Sequence, residues 1–249
     1  MRRLPGARLT RRAMNLARKL ACGLTPFGEN VSPEVPSDLF VAHLSIYHFA
    51  AAFARGARVL DLGCGAGYGS AHLSRAGASV VGLDLDARNI RYAQRHYRHV
   101  HYRQADAEHL PPNLGAFDLI VASNVLEHLH DVPRVLDALP LAPDGRFLVA
   151  VPPITDENTR RANEAIDYHR SNHSVGEWLE MLRARFGEVR SYRHFWRDGV
   201  TPDFSDPFRS RLTPEDFRFE EADLMTQLSL TAIFLAAPAA RALSSAAGG

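Results

Sequence analysis

Cysteine and lysine are scarce in this chain of 249 residues, and each shortage excludes a type of chemistry. The two cysteines, Cys22 and Cys64, make no disulfide framework and suit a reducing compartment, which predicts a cytoplasmic protein. They cannot supply the three thiolates of a radical-type iron–sulfur cluster or the four of a thiolate zinc site. Because Lys19 is the only lysine, a Schiff base, a P-loop and a lysine general base in the core are also excluded.

Strong net charge and long apolar runs are absent as well. The formal net charge is +1, so no overall field attracts nucleic acid. No apolar run is long enough to span a bilayer. Residues 1–37 are expected to form a basic N-terminal segment and linker. Its composition fits a solvated stretch, a transit peptide or a segment that makes weak peripheral contact with an anionic membrane. Residues 241–249 predict a disordered tail.

Short apolar strands alternate with helical stretches after residue 38, which predicts a parallel sheet inside one domain over 38–240. Asp38 is expected to cap the first helix. Two irregular segments, 152–173 and 197–225, are expected to be loops that shape a substrate pocket. Within the second, Thr213-Pro-Glu-Asp predicts the start of a helix. The strands are expected at 57–63, 79–85, 100–105, 117–123, 146–151, 188–195 and 226–237, and the helices at 39–54, 69–76, 87–97, 132–139 and 175–186.

The stretch RVLDLGCGAGYG, residues 58–69, is the most informative part of the chain. A glycine-rich turn between a strand and a helix lets a ligand approach the backbone, and dinucleotide enzymes hold a pyrophosphate there. Here Asp61 would repel that anion and attract the ammonium and sulfonium of S-adenosylmethionine. Tyr68 stands where the third glycine of G-x-G-x-x-G would fall. The candidate cofactor glycines are Gly63, Gly65 and Gly67.

Further polar residues follow the next strands. Asp84, with Leu85 beside it, ends the second strand, where an acid accepts hydrogen bonds from ribose hydroxyls; Asp86 is expected to cap the next helix instead. Asp106 is expected to accept a hydrogen bond from the adenine amino group, and the backbone of Ala107 to bind a ring nitrogen. The alternative is that Asp106 is a solvated acid in a loop. Two more cofactor-binding candidates fall at the carboxyl edge of the fourth strand: Ser123 and Asn124.

The segments VLDLGCGAGYG, VVGLDLD, QADAEHLP, FDLIVASNVLEHL and PDGRFLVAVPP, in this order, resemble the class I S-adenosylmethionine-dependent methyltransferases. The likeness covers roughly residues 40–195 and is nearest the ubiquinone-biosynthesis-like branch. It implies a doubly wound, Rossmann-like α/β fold with a seven-stranded, mostly parallel sheet whose last strand is antiparallel. It also implies S-adenosyl-L-methionine as cofactor, with Asp61 and Gly63 near the methionine moiety, Asp84 at the ribose and Asp106 at the adenine.

The same resemblance bears on metals and on nucleic acid. Some members of that branch hold a divalent ion with a Glu-x-x-Glu-His run, but here Asn124 takes the first position and leaves only Glu127 and His128. No metal is therefore expected. Enzymes that methylate base amino groups carry Asp/Asn-Pro-Pro-aromatic after strand four, which this chain lacks, so a nucleic-acid partner is not expected.

The acceptor is expected to be a small molecule or a glycan. Residues 27–33, FGENVSP, together with His43 and Tyr47, are similar to bacterial methyltransferases associated with cell-surface polysaccharides, which favours a sugar hydroxyl. Tyr47 or His43 is expected to close over the cofactor. Transfer to nitrogen or carbon, a catalytically silent cofactor-binding regulator and an NAD-linked oxidoreductase are the alternatives.

Methyl transfer to a hydroxyl gains from a base with a pKa near neutrality, which favours histidine. His128 is the first candidate because the motif places it beside the sulfonium. His169 and His173 are next, since they follow the fifth strand. A surface or capping role is the alternative for each.

Overall fold

The structure is a computed structural model that describes residues 33–34, 37–206 and 209–239. The predicted tail and nearly all of the predicted basic segment lie outside these residues. In the described ranges, no helix combines the length and the apolar composition needed to cross a membrane.

One eight-stranded sheet forms the centre of the fold, in the order β3-β2-β1-β4-β5-β8-β6-β7. β1 to β5 run parallel, and β8 pairs antiparallel with both β5 and β6. The predicted α/β class, parallel sheet and antiparallel last strand are confirmed, whereas the count of seven strands is wrong. The strands are β1 (Arg58–Leu62), β2 (Ser79–Asp84), β3 (His101–Gln104), β4 (Phe117–Ser123), β5 (Leu141–Val151), β6 (Glu188–Trp196), β7 (Phe217–Glu221) and β8 (Ala232–Ala237).

The additional strand is β7, where the Thr213 motif predicted a helix. That prediction is wrong, because the motif opens only a single 3-10 turn, Pro214–Asp216, before the strand begins. After it, phenylalanines alternate with charged residues at the period of a strand, and β7 pairs antiparallel with β6. The ring of Phe219 stacks on Phe49 and on His194, at centroid distances of 4.5 and 4.7 Å. Tertiary packing of this ring therefore outweighs the local capping signal.

Six α-helices lie in the described residues, and five of them cover the two faces of the sheet. Ser37, not Asp38, caps the first of them by accepting a hydrogen bond from the Phe40 backbone, and Asp38 is the first helical residue. A helix at 157–164, inside a segment predicted to be a loop, opens with an Asp156–Thr159 capping box. The helices are α1 (Asp38–Ala50), α2 (Tyr68–Arg75), α3 (Ala87–His96), α4 (Val132–Asp137), α5 (Glu157–Glu164) and α6 (Val175–Arg183).

The sheet is buried on both faces. α1, α2 and α3 cover one face over a core that includes Ile46 and Val59, and α4 and α6 cover the other over a core that includes Phe147 and Trp178. Since β1, β2, β4 and β5 are parallel, their carboxyl ends meet at one edge of the sheet, where ligands bind in open α/β folds. The loops after these strands therefore form the candidate site.

Candidate active site

The glycine-rich loop after β1 depends on left-handed backbone conformations. Gly63, Gly65 and Gly67 have φ angles of +71°, +53° and +84°, which residues with a Cβ rarely adopt. A Cβ at Gly63 would overlap the side chain of Val125, which follows β4. The Tyr102 hydroxyl donates a hydrogen bond to the Gly67 carbonyl at 2.9 Å. The loop is thus held against Val125, which follows β4, and against Tyr102 on β3.

The carboxylate of Asp61 lies beneath this loop rather than facing a ligand directly. It is fully buried, and its two oxygens accept hydrogen bonds from the Tyr47 hydroxyl at 3.0 Å and the Ser70 hydroxyl at 2.5 Å. Burial raises its pKa to about 6, although the two hydroxyl donors act in the opposite direction. At neutral pH the loop therefore lies over a negative charge, which disfavours a pyrophosphate.

Tyr47 is likewise part of the support beneath the loop. The side chain is 3% exposed, and its ring fills the space beside Gly69, where a Cβ would overlap it. The tyrosine predicted to cover the cofactor is therefore packed inside the protein. His43, one turn earlier on α1, loses hydration there, and its pKa falls to about 4.

Asp84 links the loop to the end of β2. Its carboxylate accepts hydrogen bonds from the backbone amides of Gly65 and Asp86, each at 2.8 Å, and from the Asn89 side chain at 3.0 Å. Leu85 beside it is 69% exposed, which leaves an apolar surface next to the carboxylate. Asp86 caps α3 by accepting from the Arg88 backbone, as predicted.

The remaining cofactor candidates lie along the same edge. Asp106 is partly exposed and caps a 3-10 turn that begins at Ala107, accepting from the Glu108 amide at 2.9 Å. Asn124 follows Ser123 with φ at +53°, the one positive value at a non-glycine residue within the described ranges. The backbone amide of Asn124 donates a hydrogen bond to the Ala150 carbonyl at 2.8 Å, and this bond joins the ends of β4 and β5.

A second cluster stands beyond Asn124, on the 3-10 turn Leu126–His128. The structure brings His128 and His169 together, with ring centroids 5.1 Å apart, beside the buried side chain of Glu127. His173 does not join them, because its ring packs edge-on against Trp178 at 5.0 Å. Of the three predicted bases, two therefore share one position.

The electrostatics of this cluster favour neutral side chains. Burial raises the pKa of Glu127 to about 8. Burial, followed by the neighbouring His128, lowers the pKa of His169 to about 4. Burial also lowers the pKa of His173. An imidazole that is neutral at pH 7 keeps a lone pair for a proton or an ion.

The hard-cation site of the Glu-x-x-Glu-His type does not fit these residues. The first ligand position is Asn124, whose side-chain amide approaches only the Ser123 hydroxyl, at 3.4 Å, among the hydrogen bonds of the described residues. One carboxylate and one imidazole remain, and Mg²⁺ or Ca²⁺ requires more oxygen ligands.

Sequence reasoning missed several residues that organise the site. Ser70 holds Asp61, and Asn163 accepts a hydrogen bond from His169 at 2.7 Å. The position of Ser70 one turn into a helix after the glycine loop is a usable signal. Asn163 gives none, because it lies in the helix that was not predicted.

Comparisons with known proteins agree with this geometry. A family profile described as a methyltransferase domain matches residues 37–196, more than half of the chain. The fold, the loop and this match together show that the chain belongs to the class I S-adenosylmethionine-dependent methyltransferases. Membership implies S-adenosylmethionine as the cofactor, as predicted.

Individual relatives match only part of the chain. A ubiquinone biosynthesis O-methyltransferase of Rhodopseudomonas palustris is 41% identical over 38% of this chain and 40% of its own length. A probable S-adenosylmethionine-dependent methyltransferase of Mycolicibacterium smegmatis is 28% identical over 65% of each. The chain thus spans less than two thirds of the length of each of these curated relatives.

A solved structure supports the fold. A Thermotoga maritima S-adenosylmethionine-dependent methyltransferase, described as a possible histamine N-methyltransferase, superposes with a TM-score of 0.61. The alignment covers 79% of this chain and 89% of that one at 18% identity, which supports the shared architecture alone.

We predict that Gly63→Ala destabilises the protein more than Gly56→Ala. Both glycines have φ near +70°, but nothing lies within 4 Å of a Cβ at Gly56. Left-handed strain alone costs about 1–2 kcal/mol, and overlap with Val125 adds roughly 1–3 kcal/mol at Gly63. Urea unfolding of both variants measures the difference. Equal losses would contradict the tight approach of the loop to Val125.

We also predict that Asp61 makes the stability fall as pH rises. Its pKa is about 6 in the folded protein, against 3.8 for an aspartate in an unfolded chain, so the folded state binds the proton more tightly. Relative to Asp61→Asn, the free energy of unfolding should drop by about 2 kcal/mol between pH 4 and pH 7. Urea unfolding across this range tests it, and a constant difference between the two proteins would refute the burial of an ionisable group.

Proposed function

We propose that this protein transfers a methyl group from S-adenosylmethionine to a hydroxyl of a sugar or another small hydroxylated metabolite in the cytoplasm. The observation that carries the proposal is the pair of adjacent imidazoles, His128 and His169, which follows Val125, the residue whose side chain lies against Gly63 of the glycine-rich loop. The relatives of this chain include O-methyltransferases, which also supports an oxygen acceptor.

The cofactor would lie along the carboxyl edge from β4 to β3. Asp61 supplies negative charge under the methionine end, and Asp84 has room to accept ribose hydroxyls in addition to its amide donors. Leu85 offers an apolar surface for the adenine, with Asp106 and the Ala107 backbone at its rim. The segments 152–173 and 197–225, which contain α5 and β7, would supply the surfaces that select the acceptor.

Methyl transfer is an in-line displacement at a carbon that the sulfonium already activates. The protein mainly has to align the acceptor and exclude water. A hydroxyl also has to lose its proton, and His128 is the first candidate to accept it. Nδ1 of His128 lies 3.3 Å from the Tyr168 carbonyl, so Nδ1 carries the hydrogen and Nε2 the lone pair.

The decisive experiment is a transfer assay with radiolabelled S-adenosylmethionine and a panel of glycans, phenols and amines. Label on a hydroxylated acceptor supports the proposal. Label on amines alone would favour N-methylation, for which no feature of the site argues specifically. Binding of S-adenosylhomocysteine without transfer to any acceptor would favour a regulatory module.

Asp84→Ala should weaken S-adenosylhomocysteine binding by at least about 1–2 kcal/mol, because both the ribose hydrogen bonds and the anchor of the Gly65 amide are lost. Isothermal titration calorimetry measures this. Asp86→Ala is the matched control, since it removes only the cap of α3 and the pairing with Arg88. Unchanged affinity in Asp84→Ala would disprove the ribose assignment.

His128→Ala should lower turnover strongly, by roughly 10²- to 10⁴-fold, while the affinity for S-adenosylhomocysteine stays near that of the unmodified protein. The radiolabel assay and calorimetry, run on the same preparation, separate the two effects. Full activity would remove His128 from the chemistry.

A further inference from the structure

Glu127, His128 and His169 bring three ligand-type side chains to one place at the carboxyl edge of the sheet. One ligand atom from each lies within 4.8 Å of those from the other two. Glu127 and His128 are adjacent on the turn after β4, whereas His169 comes from the segment between α5 and α6. Counting ligands along a single run of sequence therefore misses the third member.

Glu127 leaves part of its hydrogen-bonding capacity unused. The residue is 2% exposed, and its Oε2 atom has no hydrogen-bond partner within the described residues. A buried polar oxygen without a partner destabilises the fold, so a group that binds this oxygen is favoured. The carboxyl group that carries this oxygen belongs to the same cluster as two imidazoles, which also bind ions through a lone pair.

Both imidazoles are oriented through their Nδ1 atoms. His128 donates toward the Tyr168 carbonyl at 3.3 Å and His169 toward the Asn163 side-chain oxygen at 2.7 Å. Asn163 is itself fixed, since its amide donates to Asn172 at 2.5 Å. These oxygens only accept, so each ring donates through Nδ1, which in a neutral imidazole leaves the lone pair on Nε2. Histidines that bind metals are typically held in this way.

We propose that Glu127, His128 and His169 bind a divalent transition-metal ion of the zinc type. Two imidazole nitrogens and one carboxylate are the donor set of three-ligand zinc sites, which keep a further position for a substrate atom. This set differs from a Glu-x-x-Glu-His site both in its ligands and in the metal ions that it favours. Asn124 removes one carboxylate, and His169 adds a nitrogen that Mg²⁺ and Ca²⁺ do not favour.

This inference rests on the proposed function for its role and refines how the acceptor hydroxyl is activated. A bound ion of this kind acts as a Lewis acid that lowers the pKa of a hydroxyl. Nε2 of His128 would then hold the ion, and the proton of the acidified acceptor hydroxyl would pass to solvent rather than to His128. Tyr168 and Asn163 are positioning residues, since they fix the two rings without touching the substrate.

Titration of the full chain with Co²⁺, after removal of metals by a chelator, tests the site. The visible absorption of Co²⁺ and calorimetry should both report one ion per chain, and a large excess of Mg²⁺ should not displace it. Glu127→Gln and His169→Gln should abolish stoichiometric binding, and Asn163→Ala should weaken it by roughly 10- to 100-fold. His130→Gln is the matched control, because this histidine is close in sequence to His128, has a 72% exposed side chain and lies outside the cluster.

Circular dichroism and S-adenosylhomocysteine binding show whether each variant is folded, and His169→Gln serves if Glu127→Gln does not fold. Absence of stoichiometric Co²⁺ binding, or binding unchanged in both ligand variants, would overturn the metal site. Full methyl transfer by the chelated protein would also overturn it while leaving the proposed function intact. Conversely, failure to bind S-adenosylhomocysteine would defeat the proposed function without affecting the Co²⁺ titration.

Discussion

The site depends on the hydrogen bonds to the buried Asp61 carboxylate. This side chain lies on β1 and accepts hydrogen bonds from the hydroxyl of Tyr47 on α1 and the hydroxyl of Ser70 on α2. A charge in this position costs desolvation energy, and its raised pKa reflects that cost. The three elements that border the glycine loop are thereby fixed around one negative charge, which gives the loop a preference for positively charged ligands.

Much of the fold follows from local patterns in the sequence. Most of the parallel strands are short apolar runs that end at a glycine, a polar residue or a proline, so their order along the chain could be predicted. β7 could not, because its pairing depends on the stacking of Phe219 between Phe49 and His194, which are remote in sequence. α5 was missed because its exposed polar surface carries no hydrophobic period.

The candidate site was predictable to a similar extent. Residues that follow strand ends, such as Asp84 and Asn124, could be placed because parallel strands share one carboxyl edge. The orientation of the side chains could not be predicted, because Asp61 and Tyr47 lie in the buried layer under the loop rather than over it. The pairing of His128 with His169 was also beyond the sequence, since the segment between them sets the distance.

The main chain of Glu127 joins the turn after β4 to the segment that carries His169. Its carbonyl accepts from the backbone amides of Arg170 and Ser171, and the Ser171 hydroxyl donates to the Leu129 carbonyl. Asn163 on α5 then fixes the angle of the His169 ring. Under the proposed function, a change in the length or sequence of residues 152–173 would therefore alter the position of a catalytic group and the acceptor pocket at once. New acceptors would then be constrained in evolution, because recognition and chemistry would draw on the same few residues.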